Sequence, residues 1–434
     1  MVCLLAIAGS SFTTGVQFSS NQVMHASGTI KSSRISPSSL SFNNTWYKLW
    51  SYAGSDIAHA IGNDSTGNLY IAGQSSGNIF IAKYNVARNV VWNKTRVSSS
   101  TDDIMGMSVD GNGNIYIAGT RNFGGGDLSA YLAKYDTNGV SQWNRTWHKL
   151  SAASGYGVAA DRFGNVFIAG DFTDDWFHVD AFLAKYNSAG TCLWNKTWDK
   201  NVYDGARAVA VDSSGAICIT GTSGDSAFVS KYDVTGTSLW NRTCAASIGS
   251  DEGMAVTFDP SGAVYVSGYT NGPGGIDAFI SKYSAGGTSQ WNRTWGGAND
   301  ERGYGICADT TGAFLVGFTN SLDASNTDAF INKYGLNGNL VCSTTCGGGF
   351  NDEAWSVISD GAGGVYITGR TGGFGATERV QAFLARFIIS ESGDPGPAPF
   401  PVEYLVIILA SAGAAVAIVA IVFVKRRSKG KKGR

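Results

Sequence analysis

The chain has 434 residues, of which 58 are glycine and 7 are proline, while 12% are aromatic and 15% are charged. This composition suits many short strands joined by glycine turns and argues against a disordered chain. Seven basic residues fall in the last ten, so the net charge of −1 leaves residues 1–424 near −8. An acidic body lacks the basic surface that nucleic-acid binding requires, and no nucleic-acid partner is expected.

Residues 1–39 precede the first patterned segment. Val2–Gly9 is a short apolar run that is followed by sequence rich in Ser and Thr. Two interpretations stay open: a disordered leader, or the remnant of a secretory signal peptide that lacks its basic n-region. The second interpretation agrees with the export that the opposite end of the chain indicates.

Residues 40–389 repeat with a period of about fifty residues. Each unit contains a turn with Asp in its first position and Gly in its fourth, which suits a type I turn followed by a bulge. Seven such turns define units one to seven: Asp64/Gly67, Asp110/Gly113, Asp161/Gly164, Asp212/Gly215, Asp259/Gly262, Asp309/Gly312 and Asp360/Gly363.

Each unit predicts four strands, and the fourth carries the motif W-N-x-T-W or a variant of it. Unit seven has no fourth strand after Arg386-Phe387, whereas Phe42–Trp46 matches the fourth-strand motif with no unit before it. We therefore predict an all-β fold, a seven-bladed β-propeller of four-stranded blades, in which residues 42–46 complete blade seven. A solenoid is the alternative, and it would need atypical capping repeats.

The pattern D-x-x-G-N-x-Y-I-x-G, then D-A-F-x-x-K-Y, then G-x-x-x-W-N-x-T-W resembles the SBBP-type β-propeller repeat over residues 40–388. The Trp motif also resembles, more weakly, the tryptophan-docking repeats of quinoprotein dehydrogenases. The SBBP resemblance implies an exported or surface protein and assigns no chemistry. Unit six is one residue short and has Cys342 and Cys346 in place of both tryptophans, so we expect it to be irregular.

The C-terminal region predicts a membrane anchor. Residues 402–424 form one transmembrane helix, since Tyr404–Val424 runs for 21 residues without a charge. The basic segment 425–434 places the tail in the cytoplasm and the propeller outside the cell, and residues 390–401 form a Pro/Gly linker. The predicted location is the cell membrane, crossed once.

Loop lengths distinguish two rims. The turn rim carries the Asp-x-x-Gly turns and the hairpins between third and fourth strands, which all have constant length. The variable rim carries the loops between second and third strands. The step from the Gly of the second strand to the aromatic residue of the third strand varies from 7 to 14 positions. Since variable loops on a rigid scaffold usually carry binding, we expect the variable rim to be the functional face.

An acidic residue recurs on the variable rim, eight positions before the turn Asp. It should stand at the start of each innermost strand and fringe a central channel. These carboxylates either accept hydrogen bonds from backbone amides of a neighbouring unit or hold a cation, for which calcium is the candidate. No other cofactor or metal is predicted. The channel-rim acids are Asp56, Asp102, Asp204, Asp251, Glu301 and Asp352.

The variable loop of unit three is the candidate ligand site. Its exposed aromatics among carboxylates suit a sugar ring or a protein partner. The alternative is a loop that tucks its aromatics over the sheet. Its candidate residues are Asp171, Asp174, Asp175, Trp176, Phe177 and His178.

The repeated W-N-x-T-W motif predicts packing rather than a site, with Lys or Arg held over its Trp in a cation–π contact. Its Asn and Thr also form N-x-T sequons, which are plausible glycan acceptors on an exported protein. The candidate acceptors are Asn43, Asn63, Asn93, Asn144, Asn195, Asn241 and Asn292.

The sequence shows no HExxH motif, phosphate loop or nucleophile elbow, and its four histidines are dispersed, so no catalytic residue is predicted. The leading hypothesis is a membrane-anchored surface propeller that binds a glycan, a protein or an envelope component through its variable rim. A structural envelope scaffold without a discrete ligand is the first alternative. An extracellular hydrolase or lyase is the second.

Overall fold

The regular secondary structure of the described residues consists of β-strands, which pair almost entirely in antiparallel fashion. The computed structural model describes residues 40–50, 55–96, 102–123, 127–148, 152–173, 178–198, 203–244, 249–272, 274–321, 326–347, 350–372 and 380–391. No helix within these ranges is long and apolar enough to cross a membrane, and the predicted span 402–424 falls outside them. The predicted all-β class is confirmed for the described residues.

The strand order follows the repeat. The first strand, before unit one, is β1 Leu40–Trp50, and the strands of units one and two are β2 Asp56–Asn63, β3 Leu69–Ser75, β4 Asn78–Tyr84, β5 Val90–Arg96, β6 Asp103–Val109, β7 Ile115–Asn122, β8 Leu128–Tyr135 and β9 Ser141–Trp147. The strands of units three and four are β10 Ala152–Ala160, β11 Val166–Thr173, β12 Val179–Tyr186, β13 Cys192–Trp198, β14 Asp204–Val211, β15 Ile217–Ser223, β16 Ser226–Tyr232 and β17 Ser238–Cys244. The strands of units five to seven are β18 Glu252–Phe258, β19 Val264–Asn271, β20 Ile276–Tyr283, β21 Ser289–Trp295, β22 Glu301–Asp309, β23 Gly312–Thr319, β24 Asp328–Gly335, β25 Leu340–Cys346, β26 Asp352–Ser359, β27 Gly364–Thr371 and β28 Gln381–Glu391.

Units one to six each form a four-stranded antiparallel meander, and unit seven contributes three strands to its sheet. The sheets of units two and three are joined by one parallel pair, Ala152 with Leu128. The innermost strand of each unit contacts that of the next unit, and β26 also contacts β2. This arrangement of four-stranded sheets is consistent with a β-propeller.

Strand β1 pairs with β28, so the N-terminal strand shares a sheet with the last three strands, in the order β1-β28-β27-β26. The strand is longer than the predicted Phe42–Trp46, and its register differs from the prediction. Trp46 lies opposite Arg386, just as Trp92 of β5 lies opposite Lys83. The segment from 46 to 50 therefore takes the fourth-strand position.

The register differs by four residues, and the physical reason is strand periodicity. A shift of four keeps every side chain on the same face, so the alternation of apolar residues cannot distinguish the two registers. A tertiary contact does distinguish them. Lys48 Nζ donates to the Arg88 carbonyl at 2.7 Å, the bond that Lys94 Nζ makes to the Gly139 carbonyl at 3.0 Å one unit later.

The Asp-x-x-Gly turns form as predicted in units one to five. In each, the Gly amide donates to the Asp carbonyl at 2.9 to 3.1 Å. In unit three the φ of Gly164 is +81°, which the missing Cβ permits. In unit six, however, Asp309 and Gly312 form the last pair of a tighter hairpin, and Gly312 has a φ of +142°. The expected irregularity of unit six is confirmed at this turn.

The apolar core lies between the sheets rather than inside any one of them. Seven buried clusters are found in the described residues, and each combines side chains of two consecutive units, including one shared by units seven and one. Cys342 and Cys346 are buried in the cluster of units six and seven, where they replace tryptophans, and neither forms a disulfide. Each sheet is thus stabilised by its two neighbours.

The fourth-strand tryptophans also connect neighbouring units. Trp143 Nε1 donates to the Ser188 carbonyl at 3.0 Å, and Arg145 Nε donates to the Gly190 carbonyl at 2.7 Å, both in the turn of the next unit. The Arg145 guanidinium lies 5.5 Å from the Trp143 ring. The predicted packing role, with its cation–π contact, is confirmed.

Candidate functional site

Every innermost strand contains a β-bulge at the same place, three residues after the recurring acidic position. The register between first and second strands shifts there in all seven units. Bulges disrupt the regular alternation and re-aim one side chain. We call the bulged residues the bulge ring: His59, Met105, Tyr156, Arg207, Met254, Tyr304 and Trp355.

Small residues flank every bulge except on one side of Met105, where Ile104 stands, and they let the inner strands approach closely. A Cβ added to Gly305 would lie 2.9 Å from the Trp355 carbonyl oxygen of the next unit. One added to Gly157 would lie 2.7 Å from the Val209 amide. At these flanks the backbone of the next unit leaves no room for a side chain, so the large side chain of the strand stands at the bulged position.

Consecutive members of the bulge ring contact one another across unit boundaries. The Arg207 guanidinium lies 4.3 Å from the Tyr156 ring centroid. Tyr304 and Trp355 have ring centroids 5.3 Å apart, and Trp355 meets His59 edge-on at 4.6 Å. These three contacts join five of the seven bulged residues, and we call the region beside them, next to the variable rim, the channel mouth.

Arg207 is the centre of the half of the mouth formed by units three to five. Its Nε donates to Glu252 at 2.5 Å, one terminal nitrogen donates to Asp171 at 3.3 Å and the other donates to the Tyr203 hydroxyl at 2.6 Å. These bonds join three units through one guanidinium. Burial raises the pKa of Asp171 to about 6, although the charge of Arg207 opposes the rise.

The other half of the mouth, formed by units six, seven and one, is aromatic and cationic. Trp355 Nε1 donates to Glu353 at 3.0 Å, and the second oxygen of Glu353 accepts a hydrogen bond from Arg370. Arg302 stacks over Tyr269 at 4.6 Å. Arg302 makes no ion pair with any carboxylate of the described residues.

His59 is 7% exposed, and neither ring nitrogen has a hydrogen-bond partner among the residues described. Burial lowers its pKa to about 4; the Arg370 charge adds to the fall, and the Gln74 amide opposes it. The imidazole is consequently neutral at physiological pH. It supplies one donor and one acceptor without adding a charge.

The predicted loop site is only partly described. Asp171 is buried and belongs to the Arg207 network, while His178 is exposed at the far end of the loop. Asp174, Asp175, Trp176 and Phe177 fall outside the described residues. Of the predicted ligand residues, the structure brings Asp171 alone into contact with the channel mouth among those it describes.

The six recurring acids stand at or just before the start of the inner strands, as predicted, but their side chains are at most 2% exposed. Asp251 accepts a hydrogen bond from Thr270 at 2.6 Å. Glu301 accepts from Thr319 at 2.5 Å and from the Gly297 amide at 2.6 Å. These bonds favour the interpretation that the acids fix the strand entrances; for the described residues no group of three or more metal-binding side chains is found, and calcium at the rim stays a prediction.

The predicted glycan acceptors are accessible where they are described. Asn63 is exposed at the end of β2, and the fourth-strand asparagines are exposed on the outermost strands. The side chain of Asn43 is outside the description. Glycan attachment stays a prediction. The exposed fourth-strand acceptors are Asn93, Asn144, Asn195, Asn241 and Asn292.

A second depression, of about 560 Å³, lies on the turn rim between units four and five. Its charged groups are already engaged: Lys231 lies 4.0 Å from Asp212 and donates to the Ala285 carbonyl at 3.3 Å. Asp259 accepts from the backbone of its own turn. A paired, self-satisfied lining makes this depression a weaker candidate than the channel mouth.

Sequence reasoning missed the bulge ring. The signal was present in six of the seven innermost strands, where one large residue of variable type stands between two small residues, as in Gly303-Tyr-Gly305. A regular strand would place that residue on an interface filled by the next unit, and only the bulge turns it toward the channel. The bulge is created by packing between units, which the local sequence does not reveal.

The comparisons with known proteins are distant. No family model matches the chain. An uncharacterized WD repeat-containing protein of Acanthamoeba polyphaga mimivirus is 29% identical over 115 residues, which is 22% of this chain and 8% of that protein. The chain thus spans less than a tenth of that relative.

Several solved structures are similar in fold. A protein of unknown function from Dyadobacter fermentans has 14% identity and a TM-score of 0.44, over 70% of this chain and 98% of that one. Puromycin hydrolase has 12% identity and a TM-score of 0.47, over 74% of this chain and 50% of that one. YCF48 with a bound peptide has 11% identity and a TM-score of 0.47, over 80% and 96%. Similarity at this level extends neither ligands nor activities to this chain.

Proposed function

We propose that the chain is a seven-bladed β-propeller of the SBBP type that binds a ligand at its channel mouth. The contacts of β26 with β2 and the pairing of β1 with β28 support a closed ring of seven blades. The seven apolar clusters, one between each two neighbouring units, support the same count. The ring supplies a rigid frame, and the bulge ring supplies the binding groups.

The observation that carries this proposal is the variety of the bulge ring. The residues that flank each bulge are small, Ile104 excepted, whereas the bulged positions hold imidazole, aromatic, cationic and thioether side chains. A purely structural ring would need no such variety. Aromatic faces with a few fixed polar groups are the usual lining of a ligand site.

We further propose that the propeller is displayed on the cell surface. The SBBP resemblance, the uncharged segment 404–424 and the basic tail support a single-pass anchor. The ligand is then a glycan, a protein or an envelope component that reaches the variable rim from outside. Membrane extraction and protease protection of the full-length protein in its cells would test the anchor.

The binding proposal is tested with the full-length protein on arrays of glycans and surface proteins. We expect a ligand whose binding falls at least tenfold in Tyr304→Ala, because that ring lies inside the mouth. Arg162→Gln, on the turn rim, serves as control and should bind normally. Unchanged binding by Tyr304→Ala would contradict the proposal, and loss confined to Trp176→Ala would place the site in the loop of unit three.

A further inference from the structure

We propose that the channel mouth binds an acidic saccharide, with the carboxylate of the sugar held by Arg302 and Arg370 and its ring stacked on Tyr304 and Trp355. This inference rests on the proposed binding function and gives it a ligand class. It uses the half of the mouth formed by units six, seven and one.

The first argument is an excess of positive charge in this half of the mouth, where Arg302 and Arg370 face one carboxylate, that of Glu353. Glu353 is engaged by both Arg370 and Trp355, so it neutralises one guanidinium and leaves the charge of Arg302 unpaired among the described residues. The Nε atoms of Arg302 and Arg370 are buried and have no hydrogen-bond partner there. A buried donor without a partner is destabilising, and a ligand oxygen would supply the missing acceptor.

The second argument is the chemistry that guanidinium groups prefer. A carboxylate accepts two parallel N–H bonds from one Arg, with geometry that fits its planar fork. The Tyr304 hydroxyl lies beside the Arg302 guanidinium and is also within reach of the Arg370 charge. Tyr304 is thus close to both cations and to Glu353, and its hydroxyl can donate a hydrogen bond to a bound anion.

The third argument is the aromatic surface. The Tyr304 and Trp355 rings are half-buried and inclined at 41°, and Phe318 backs Tyr304 at 5.7 Å. His59 fixes Trp355 by edge-on contact. Rigid aromatic faces provide a large contact area at low entropic cost and suit the apolar face of a sugar ring.

The fourth argument is the neutral imidazole of His59. It is more than nine-tenths buried, the Gln74 amide is the polar side chain beside it, and neither nitrogen makes a hydrogen bond of ordinary geometry among the described residues. An uncharged donor and acceptor at this depth suits a sugar hydroxyl, which both accepts and donates. A site built for an inorganic anion alone would have no use for such a group or for the aromatic platform.

The opposite half of the mouth limits the ligand. Asp171 and Glu252 there accept hydrogen bonds from Arg207, and each of the three guanidinium nitrogens of Arg207 already donates to a partner. Their carboxylates would repel a polyanion that extended across the mouth. The arrangement therefore favours a single acidic sugar or the acidic end of a glycan, and it disfavours nucleic acid.

Calorimetry on the full-length protein tests the inference, with methyl galacturonoside, which carries a single carboxylate, as the probe and methyl galactoside as the neutral comparison. We expect at least tenfold tighter binding of the acid, and a fall in its affinity as salt rises. Arg302→Gln should lose most of that preference while Arg302→Lys retains part of it. Arg162→Gln, which removes a cation from the turn rim, should bind as the unaltered protein does.

The outcomes separate the two proposals. Equal binding of both probes, or an Arg302→Gln protein that keeps its preference for the acid, would overturn the acidic-saccharide inference. If Tyr304→Ala still abolished binding of the neutral probe, the binding function would stand without it. Thermal melting of each variant checks that the propeller stays folded.

Discussion

At the residue scale, Arg207 joins three units through one side chain, and its partners explain why it tolerates partial burial. An Arg offers five donors in a fixed fork, so it can satisfy two carboxylates and a hydroxyl together. Removing either carboxylate would leave a buried donor without a partner, whereas the surface pairs elsewhere in the chain are worth about 1 kcal/mol or less. The charge cluster of the mouth is therefore coupled to the packing of the inner strands.

The pKa values of two buried groups of the mouth are shifted in opposite directions, so their contributions to stability change in opposite directions with pH. His59 has a folded pKa of about 4, so its contribution is present above pH 6.5 and is lost as the pH falls toward 4. Asp171 has a folded pKa of about 6, so its burial penalty is present above pH 6 and is relieved as the pH falls toward 4. Each shift corresponds to about 3 kcal/mol. We expect these two contributions to stability to offset each other between pH 4 and 6 in the unaltered protein.

Single substitutions should expose each titration separately. In His59→Gln only the Asp171 term remains, so the denaturant midpoint should rise as the pH falls from 6 to 4. In Asp171→Asn only the His59 term remains, and the midpoint should fall over the same range. Chemical denaturation from pH 4 to 7 measures both. Parallel pH profiles for the two variants would refute the assignment.

At the element scale, the inner strands depend on small residues beside each bulge. An added methyl at Gly305 would lie 2.9 Å from a carbonyl oxygen and the same distance from a methyl of Val316. We expect Gly305→Ala to destabilise the protein by about 1–3 kcal/mol, since the clash involves backbone that cannot move alone. Gly111→Ala is the control, because nothing lies within 4 Å of its added methyl and its φ is not positive. Equal melting temperatures of the two variants would rule out close packing at Gly305.

The sequence predicts the elements of the repeat better than their register. The Asp-x-x-Gly turns and the alternation of apolar residues are local signals, and they predict four strands in each unit. The position of β1 against β28 is not local, because Phe42–Trp46 and the segment from 46 to 50 present the same faces. The two registers are distinguished by the hydrogen bond from Lys48 to the Arg88 carbonyl, which lies in another unit. The bulge ring was likewise hidden, since interfaces between units create it.

At the scale of the whole molecule, each sheet is buried on both faces by its neighbours, so the loss of one interface exposes two apolar surfaces. The interface between units seven and one differs from the others because it is made by the two ends of the repeat region. Strand β1 contacts the units on both sides of unit seven. Tyr47 and Leu49 pack on the cluster of units six and seven, and Lys48 donates a hydrogen bond to the turn of unit one. The register of β1 therefore decides how much each of its residues contributes.

Two truncations compare the segments of β1. A chain that starts at residue 46 keeps the five pairs of Trp46–Trp50 with β28, including Tyr47, Lys48 and Leu49. A chain that starts at residue 51 loses them all. We expect the first truncation to melt near the full-length temperature. The second should lose roughly 5 kcal/mol, from several net hydrogen bonds and two half-buried apolar side chains.

A synthetic peptide of residues 40–50 provides the matching rescue. Added in excess to the chain that starts at residue 51, it should raise the melting temperature with its concentration, because it binds the folded state alone. A peptide in which Lys48 is replaced by Glu should rescue less, since Arg88 then offers its carbonyl to an acceptor. Equal losses in both truncations would show that the segment from 40 to 45, and not the one from 46 to 50, closes the last sheet.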